Sequence, residues 1–206
     1  MKSSGHVRQE IIGVAARLFA RYGFKKTSID DVALAARIGK GTVYLHFASK
    51  EEIFGEVVGR LSERMLDALG AAVKRARSPA GKVRAFVEAK LTSVSRLADA
   101  QGVQEEAILE LFPAARAYRG THDVREHALL SDVLHEGNAS GTFAVEDPDR
   151  LATGIIACLT ALDTSTVVKR EDAAIRAGID ELMAVLVRGL SPSRRCIPTE
   201  RSEDAS

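Results

Sequence analysis

The sequence predicts an all-α protein of about nine helices, in which a three-helix N-terminal head with a helix-turn-helix is joined by a linking helix to a larger helical body. Three observations carry this expectation. Apolar residues recur at helical spacing through most of the 206 residues, Ser, Gly and Pro punctuate them at capping positions, and no two-residue alternation of useful length appears. Charge divides the chain in the same way. Residues 1–50 hold nine Lys or Arg against three Asp or Glu, a balance of +6, while residues 51–206 hold 20 against 25, a balance of −5. A polyanion is drawn to such a head and mildly repelled by such a body, because phosphate neutralisation and counterion release dominate sequence-independent affinity.

Val7, Ile11, Ala15, Leu18, Phe19 and Tyr22 share one face of a first helix, which Gly23 can end in a left-handed turn. Thr27 and Ser28, three residues before Asp30 and Asp31, open a second helix with Ile29, Val32, Ala33 and Ala36 inward. The pattern breaks at Arg37-Ile38-Gly39, and a short third helix runs from Lys40 to about Phe47. Ser49-Lys50-Glu51-Glu52 has the form of a capping box for a fourth helix, to about Arg77. Ser78-Pro79 starts a fifth, to about Ala98, and Gln101-Gly102 interrupts the pattern. A sixth runs from about Val103 to Phe112, where Pro113 should cut it; after a short piece ending near Gly120, Thr121 to about Glu136 is again helical. Asp147-Pro148 opens a helix with Leu151, Ile155, Cys158, Leu159 and Leu162 in register, and Ile175, Ile179, Leu182, Leu186 and Leu190 mark the last. The expected domains are 1–50, 51–190 and a disordered polar tail over 191–206.

Cys158 and Cys196 lie in an apolar helix and a polar tail, so neither a disulfide framework nor a zinc cluster is suggested. No apolar run approaches the roughly 18 residues of a membrane span, and the first residues lack a secretion signal. A cytoplasmic protein without a membrane partner is expected. No nucleophile elbow, phosphate loop or dinucleotide fingerprint is present, so the sequence suggests neither an enzyme nor a cofactor.

Thr27 to Phe47 has helix-turn-helix proportions. Val32, Ala33, Ile38, Val43 and Phe47 should pack on Leu18 and Phe19, so that Lys40, Gly41, Thr42, Tyr44 and His46 face outward. Those residues supply a cation, a close backbone approach, a hydroxyl, a phenol and an imidazole, which are chemistries for phosphates and base edges. The blander alternatives are a half-buried core residue for Tyr44 and a solvated helix end for His46. Lys40 and Lys50 both stand at helix starts, where the helix dipole disfavours a cation, and that misfit favours a functional role.

The strings Ala16-Arg17-Leu18-Phe19-Ala20-Arg21-Tyr22-Gly23-Phe24, Thr27 to Ala33, Gly39 to Phe47 and Ser49 to Phe54 resemble the DNA-binding domain of the tetracycline-repressor (TetR) family over roughly residues 8–57. The resemblance implies a homodimeric repressor that binds a palindromic operator in double-stranded DNA and leaves it when a small-molecule effector enters the body. It implies that Thr27 and Ser28 contact phosphates, that Lys40, Gly41, Thr42, Tyr44 and His46 belong to the recognition helix, and that Lys50 binds phosphate. Leu45 departs from members with a polar or aromatic residue there; a thymine methyl is the contact open to it.

In the body, Phe86, Leu109, Phe112 and Tyr118 are candidate ligand-lining residues, and core packing would explain them equally well. Glu105, Glu106 and Glu110 could offer a counter-charge to a cationic ligand. Small residues near the apolar stripes of the last two helices, among them Ala152, Gly154, Ala157, Ala161, Ala177 and Gly178, suggest a dimer face. His122, Asp123, Glu126, His127, Asp132 and His135 contain only one imperfect copy of the carboxylate and histidine spacing of a di-metal bundle, so no metal site is expected. A helical carrier or adaptor whose basic head meets an acidic protein is the competing binding-module reading.

Overall fold

The computed structural model describes residues 4–101, 105–168 and 173–192. Nine helices are found among them: α1 (Ser4–Tyr22), α2 (Ile29–Ala35), α3 (Lys40–Tyr44), α4 (Lys50–Arg75), α5 (Pro79–Gln101), α6 (Glu105–Arg116), α7 (Gly120–Ala139), α8 (Pro148–Val168) and α9 (Ala173–Leu190). Among the described residues no strand occurs, and no helix is long and apolar enough to cross a membrane. The expected tail beyond Pro192 and Cys196 within it lie outside the described residues. So do the side chains of Glu105, Glu106, Leu109, Phe112, Leu162, Ile175 and Ile179.

Two apolar clusters organise the chain. The first joins Ile11, Ile12, Ala15 and Phe19 of α1 to Val32, Val43 and Phe47, and then to Ile53, Phe54, Val57 and Val58 of α4. The second joins Met65, Leu69 and Val73 of α4 to Val83, Phe86 and Val87 of α5, Leu130 and Leu134 of α7, Ala152 and Leu159 of α8 and Met183 of α9. One helix therefore serves both cores, and the head core extends past residue 50 to Val58. The reason is periodicity: α4 keeps one apolar face over 26 residues and places its first half under the head and its second half in the body.

The turn between α2 and α3 and two local departures from the sequence expectation have plain causes. Gly39 is extended, with φ −70°, and is not the left-handed residue of the turn. Arg37 takes φ +55° instead, and the turn closes through Arg37 N–H to Leu34 O at 3.1 Å and Ile38 N–H to Ala33 O at 3.0 Å. Pro113 does not cut α6 but lies inside it; a proline removes only one helical hydrogen bond, and neighbouring packing can hold the remainder. Leu111 before it and Ala114 and Ala115 after it pack on the head core. The helical assignment of α3 stops at Tyr44 rather than Phe47, although Leu45 N–H still bonds Gly41 O and Phe47 N–H still bonds Val43 O. The remaining helices differ in their ends: α4 stops at Arg75, α5 reaches Gln101, and α7 spans Gly120–Ala139.

Candidate nucleic-acid interface

The head presents α3 through two caps and a ring cluster. Ser28 is the N-cap of α2, with a reciprocal capping box: Asp31 N–H bonds the Ser28 hydroxyl at 3.2 Å and Ser28 N–H bonds the Asp31 carboxylate at 2.8 Å. The Ser28 hydroxyl, which donates to the Asp31 carboxylate at 2.6 Å, and after it the Ser28 N–H hold that carboxyl below its ordinary pKa. Ser49 caps α4 by accepting from Glu52 N–H at 3.1 Å, while Glu52 reaches back to Ala48 N–H at 2.6 Å, one residue before the cap that a strict capping box would engage. Phe19, Phe24 and Phe54 meet at centroid separations of 4.8 to 5.5 Å and fix α1 against α4.

On this frame α3 turns Val43 and Phe47 fully inward and leaves Tyr44 50% and Leu45 83% exposed. Gly41 is exposed, and Thr42 and His46 are half-buried. The geometry therefore brings Gly41, Thr42, Tyr44, Leu45 and His46 together on one short, outward helix whose inner side is sealed. Lys40, at its first position, is paired with Asp30 at 2.8 Å, and that carboxylate raises its pKa. Both partners are more than half exposed, so exchanging Asp30 for a phosphate gives up little, because water and salt screen such a pair.

Thr27 and Lys50 are placed differently from the expectation. Thr27 is only 3% exposed, and its hydroxyl donates to Gly23 O at 2.8 Å. Its side chain braces the loop between α1 and α2 rather than facing outward. Lys50 sits at the first residue of α4, and its Nζ donates to Phe24 O at 2.9 Å and Thr27 O at 3.0 Å, 4.3 Å from the centre of the Phe24 ring. An ammonium has three N–H groups, so this clasp leaves one for an external anion. The carbonyl partners explain why a lysine is tolerated at a helix start where the dipole opposes it.

Sequence reasoning missed two features that position this surface. Arg8 makes a bidentate pair with Glu56, at 2.7 and 3.2 Å, with its guanidinium 4.8 Å from the Phe47 ring. Each partner pushes the other further into its charged form, mainly through the hydrogen bonds. The second is Glu110 of α6. Its Oε1 accepts from Lys25 N–H at 2.6 Å, so this carboxylate is spent on the head rather than held for a cationic ligand. No motif marks such contacts, because the partners stand 48 and 85 residues apart.

The proposed body residues also separate. Phe86 is sealed in the body core. Tyr118 packs edge-on against Phe54, at 5.5 Å, and over Gly55, so it lies on the linking helix at the edge of the head. The carboxylate and histidine series is divided among interhelical contacts: Glu126 with Lys90 and Arg119, His122 beside Glu63, His127 with Asp149 O and Thr153, and His135 beside Asp149. Among the described residues no group of three or more His, Cys, Asp or Glu is arranged to hold a metal.

Residues 11–57 match the family model described as bacterial regulatory proteins, tetR family. The head is a DNA-binding domain of TetR type. The match covers the head and the start of α4, which are the elements that present the outward helix. The chain is also similar to the HTH-type transcriptional repressor KstR2 of Mycolicibacterium smegmatis, with 29% identity over 66% of this chain and 67% of that one. Its likeness to the HTH-type transcriptional regulator AcrR of Shigella flexneri is 42% identity, over 24% of this chain and 23% of that one. Among solved structures, the regulator FadR of Bacillus subtilis in complex with stearoyl-CoA has the same fold, with a TM-score of 0.69, 17% identity and coverage of 88% and 98%. The chain is thus a DNA-binding transcriptional regulator with a head of TetR type, and its described residues form helices and no strand.

Proposed function

We propose that this chain is a homodimeric repressor of the TetR family that binds a palindromic operator through α3 and leaves it when a small molecule binds in the body. The observation that carries the reading is the division of α3: Val43 and Phe47 are locked in the head core, while Tyr44 and Leu45 stand out from it. Such a helix can enter a major groove without distorting its own support. In this reading Gly41, Thr42, Tyr44, Leu45 and His46 meet base edges and nearby sugar-phosphate, and Lys40, Ser28 and the free N–H of Lys50 meet phosphates. Thr27 serves by holding the loop that carries Ser28.

The repressor name of the KstR2 relative and the stearoyl-CoA complex of FadR support repression and a small-molecule effector. An exposed apolar face on α8 and α9 supports the dimer. Leu182 and Val185 are more than half exposed, and Gly154, Ala157, Cys158, Ala161, Ala177 and Gly178 are exposed as well. Two copies of this face would form a four-helix bundle and set two heads about 34–36 Å apart, one DNA turn.

Coupling from body to head runs through α6 and the turn that follows it. Glu110 holds the backbone between α1 and α2, Tyr118 presses on Phe54 and Gly55, and Leu111, Ala114 and Ala115 lie on the head core. An effector that favours a different placement of α6 would release the clasp on Lys25 and shift the heads; it must bind that state more tightly than the DNA-competent one. Selection of bound sequences from a random duplex library tests the reading: a palindrome whose half-sites lie one turn apart is expected. Enrichment of no sequence, with retention that disappears with salt, would refute it and favour a carrier or adaptor with a basic head.

A further inference from the structure

A groove of about 340 Å³ runs along the seam of α1 and α4, within the ordinary size of a small-molecule cleft, about 300–1,000 Å³. Ile12, Ala16, Val57 and Leu61 form its apolar floor, and Arg17, Arg60 and Arg64 stand around it. Among the described residues no carboxylate pairs with any of these three arginines. Glu56, one turn before Arg60, is held by both nitrogens of Arg8. Burial is the main reason the Arg60 pKa lies below the ordinary guanidinium value; Arg8 and Arg64 add repulsion, and Glu56 offsets part of it.

Gly13 adds a second observation. It occupies the middle of α1, where glycine is less favourable than alanine, yet its backbone is ordinary and the only neighbour within reach of an added Cβ is Arg17 Nη1, at 4.0 Å. A larger residue would narrow the groove it lines. The bare helix at this point keeps the floor open where Arg17 folds back. Guanidiniums crowded beside an apolar floor are relieved by an oxyanion, which accepts two parallel hydrogen bonds from each planar fork.

We propose that the α1–α4 groove binds a small amphipathic oxyanion, with its phosphate or carboxylate held by Arg17, Arg60 and Arg64 and its aliphatic part laid along Ile12, Ala16, Val57 and Leu61. The site is distinct from an effector cavity in the body and does not rest on the repressor reading. Its occupant is not the operator backbone, because Arg60 and Arg64 stand ten and fourteen residues up α4 from Lys50, or about 15–21 Å along the helix. A bound anion would bridge α1 to α4 and brace the head against the linking helix.

Isothermal titration of the full-length protein with octyl phosphate, octanoate and inorganic phosphate tests the proposal, with circular dichroism to verify folding of each variant. One octyl phosphate per chain is expected, weakened at least tenfold in Arg60→Gln/Arg64→Gln. Gly13→Leu, which keeps the charges and fills the groove, should weaken it similarly. Inorganic phosphate should bind more weakly at the same arginines, and octanoate reports whether a carboxylate suffices. Affinities within twofold of the parent in both variants, or no binding of either amphiphile at millimolar concentration, would overturn the site. So would an Arg60→Gln/Arg64→Gln protein that binds octyl phosphate normally but loses about two units of the salt slope for DNA, since the arginines would then serve the duplex.

Discussion

Replacing Lys50 by methionine keeps an unbranched side chain and removes the ammonium that joins the start of α4 to the loop between α1 and α2. Two charge-assisted hydrogen bonds disappear, to Phe24 O and Thr27 O, along with the contact over the Phe24 ring. Hydrogen bonds to charged groups are worth about 1.5–3 kcal/mol each; at a half-buried site whose carbonyls can take up water, the low end applies. The ring contact adds about 0.5–1 kcal/mol. Relief of the unfavourable helix-start charge returns about 0.3–1 kcal/mol. The balance is a loss of about 3 kcal/mol, or roughly 6–12 °C in Tm for a chain of this size. Duplex affinity should also fall for every sequence, and the slope of log K against log salt should flatten by about 0.9 when one phosphate contact is lost. Thermal melts followed by circular dichroism and fluorescence anisotropy across a salt series measure the two effects separately. A Tm within 1 °C of the parent would show that the clasp does not hold the head, and an unchanged salt slope would remove the phosphate role.

Other outcomes follow from the body and the caps. Lys90 and Glu126 are 0% and 1% exposed and 2.6 Å apart; Glu126→Leu strands a buried ammonium and should lose about 3–5 kcal/mol in urea unfolding, most of it recovered in Lys90→Met/Glu126→Leu. An additive double variant would refute the pairing. Gly137→Ala drives a Cβ into the Phe143 ring, which backbone movement must relieve at a loss of about 1–3 kcal/mol or more; Gly137→Ala/Phe143→Leu should restore part of it. Ser28→Ala removes the α2 cap and should lower stability by about 0.5–2 kcal/mol. The Asp31 carboxyl is depressed in the folded chain, so its contribution is present above the unfolded aspartate pKa of about 3.9 and is lost as pH falls through the lower folded value. The difference between Ser28→Ala and parent in denaturant titrations should therefore shrink only below about pH 4; a difference that shrinks between pH 5 and 8 would assign the effect to another group.

The sequence by itself determined the local elements. Helical spacing from Ile11 to Phe19, the Ser28 and Ser49 caps and the start at Pro79 are short-range signals, because a helix is written in contacts three and four residues apart. The outward set on α3 was legible for the same reason: five residues cannot turn Val43 inward without turning Tyr44 and Leu45 out. The hand of the α2–α3 turn was not legible, since nothing in Arg37-Ile38-Gly39 marks Arg37 as the residue that takes a positive φ. Tertiary structure alone decided that Lys50 clasps two carbonyls, that Thr27 is sealed, that Glu110 reaches the head and that Tyr118 rests on the linking helix. Each of those contacts depends on where one helix axis lies against another, and burial and side-chain direction across such a seam follow from packing over distances that no repeat in the chain encodes.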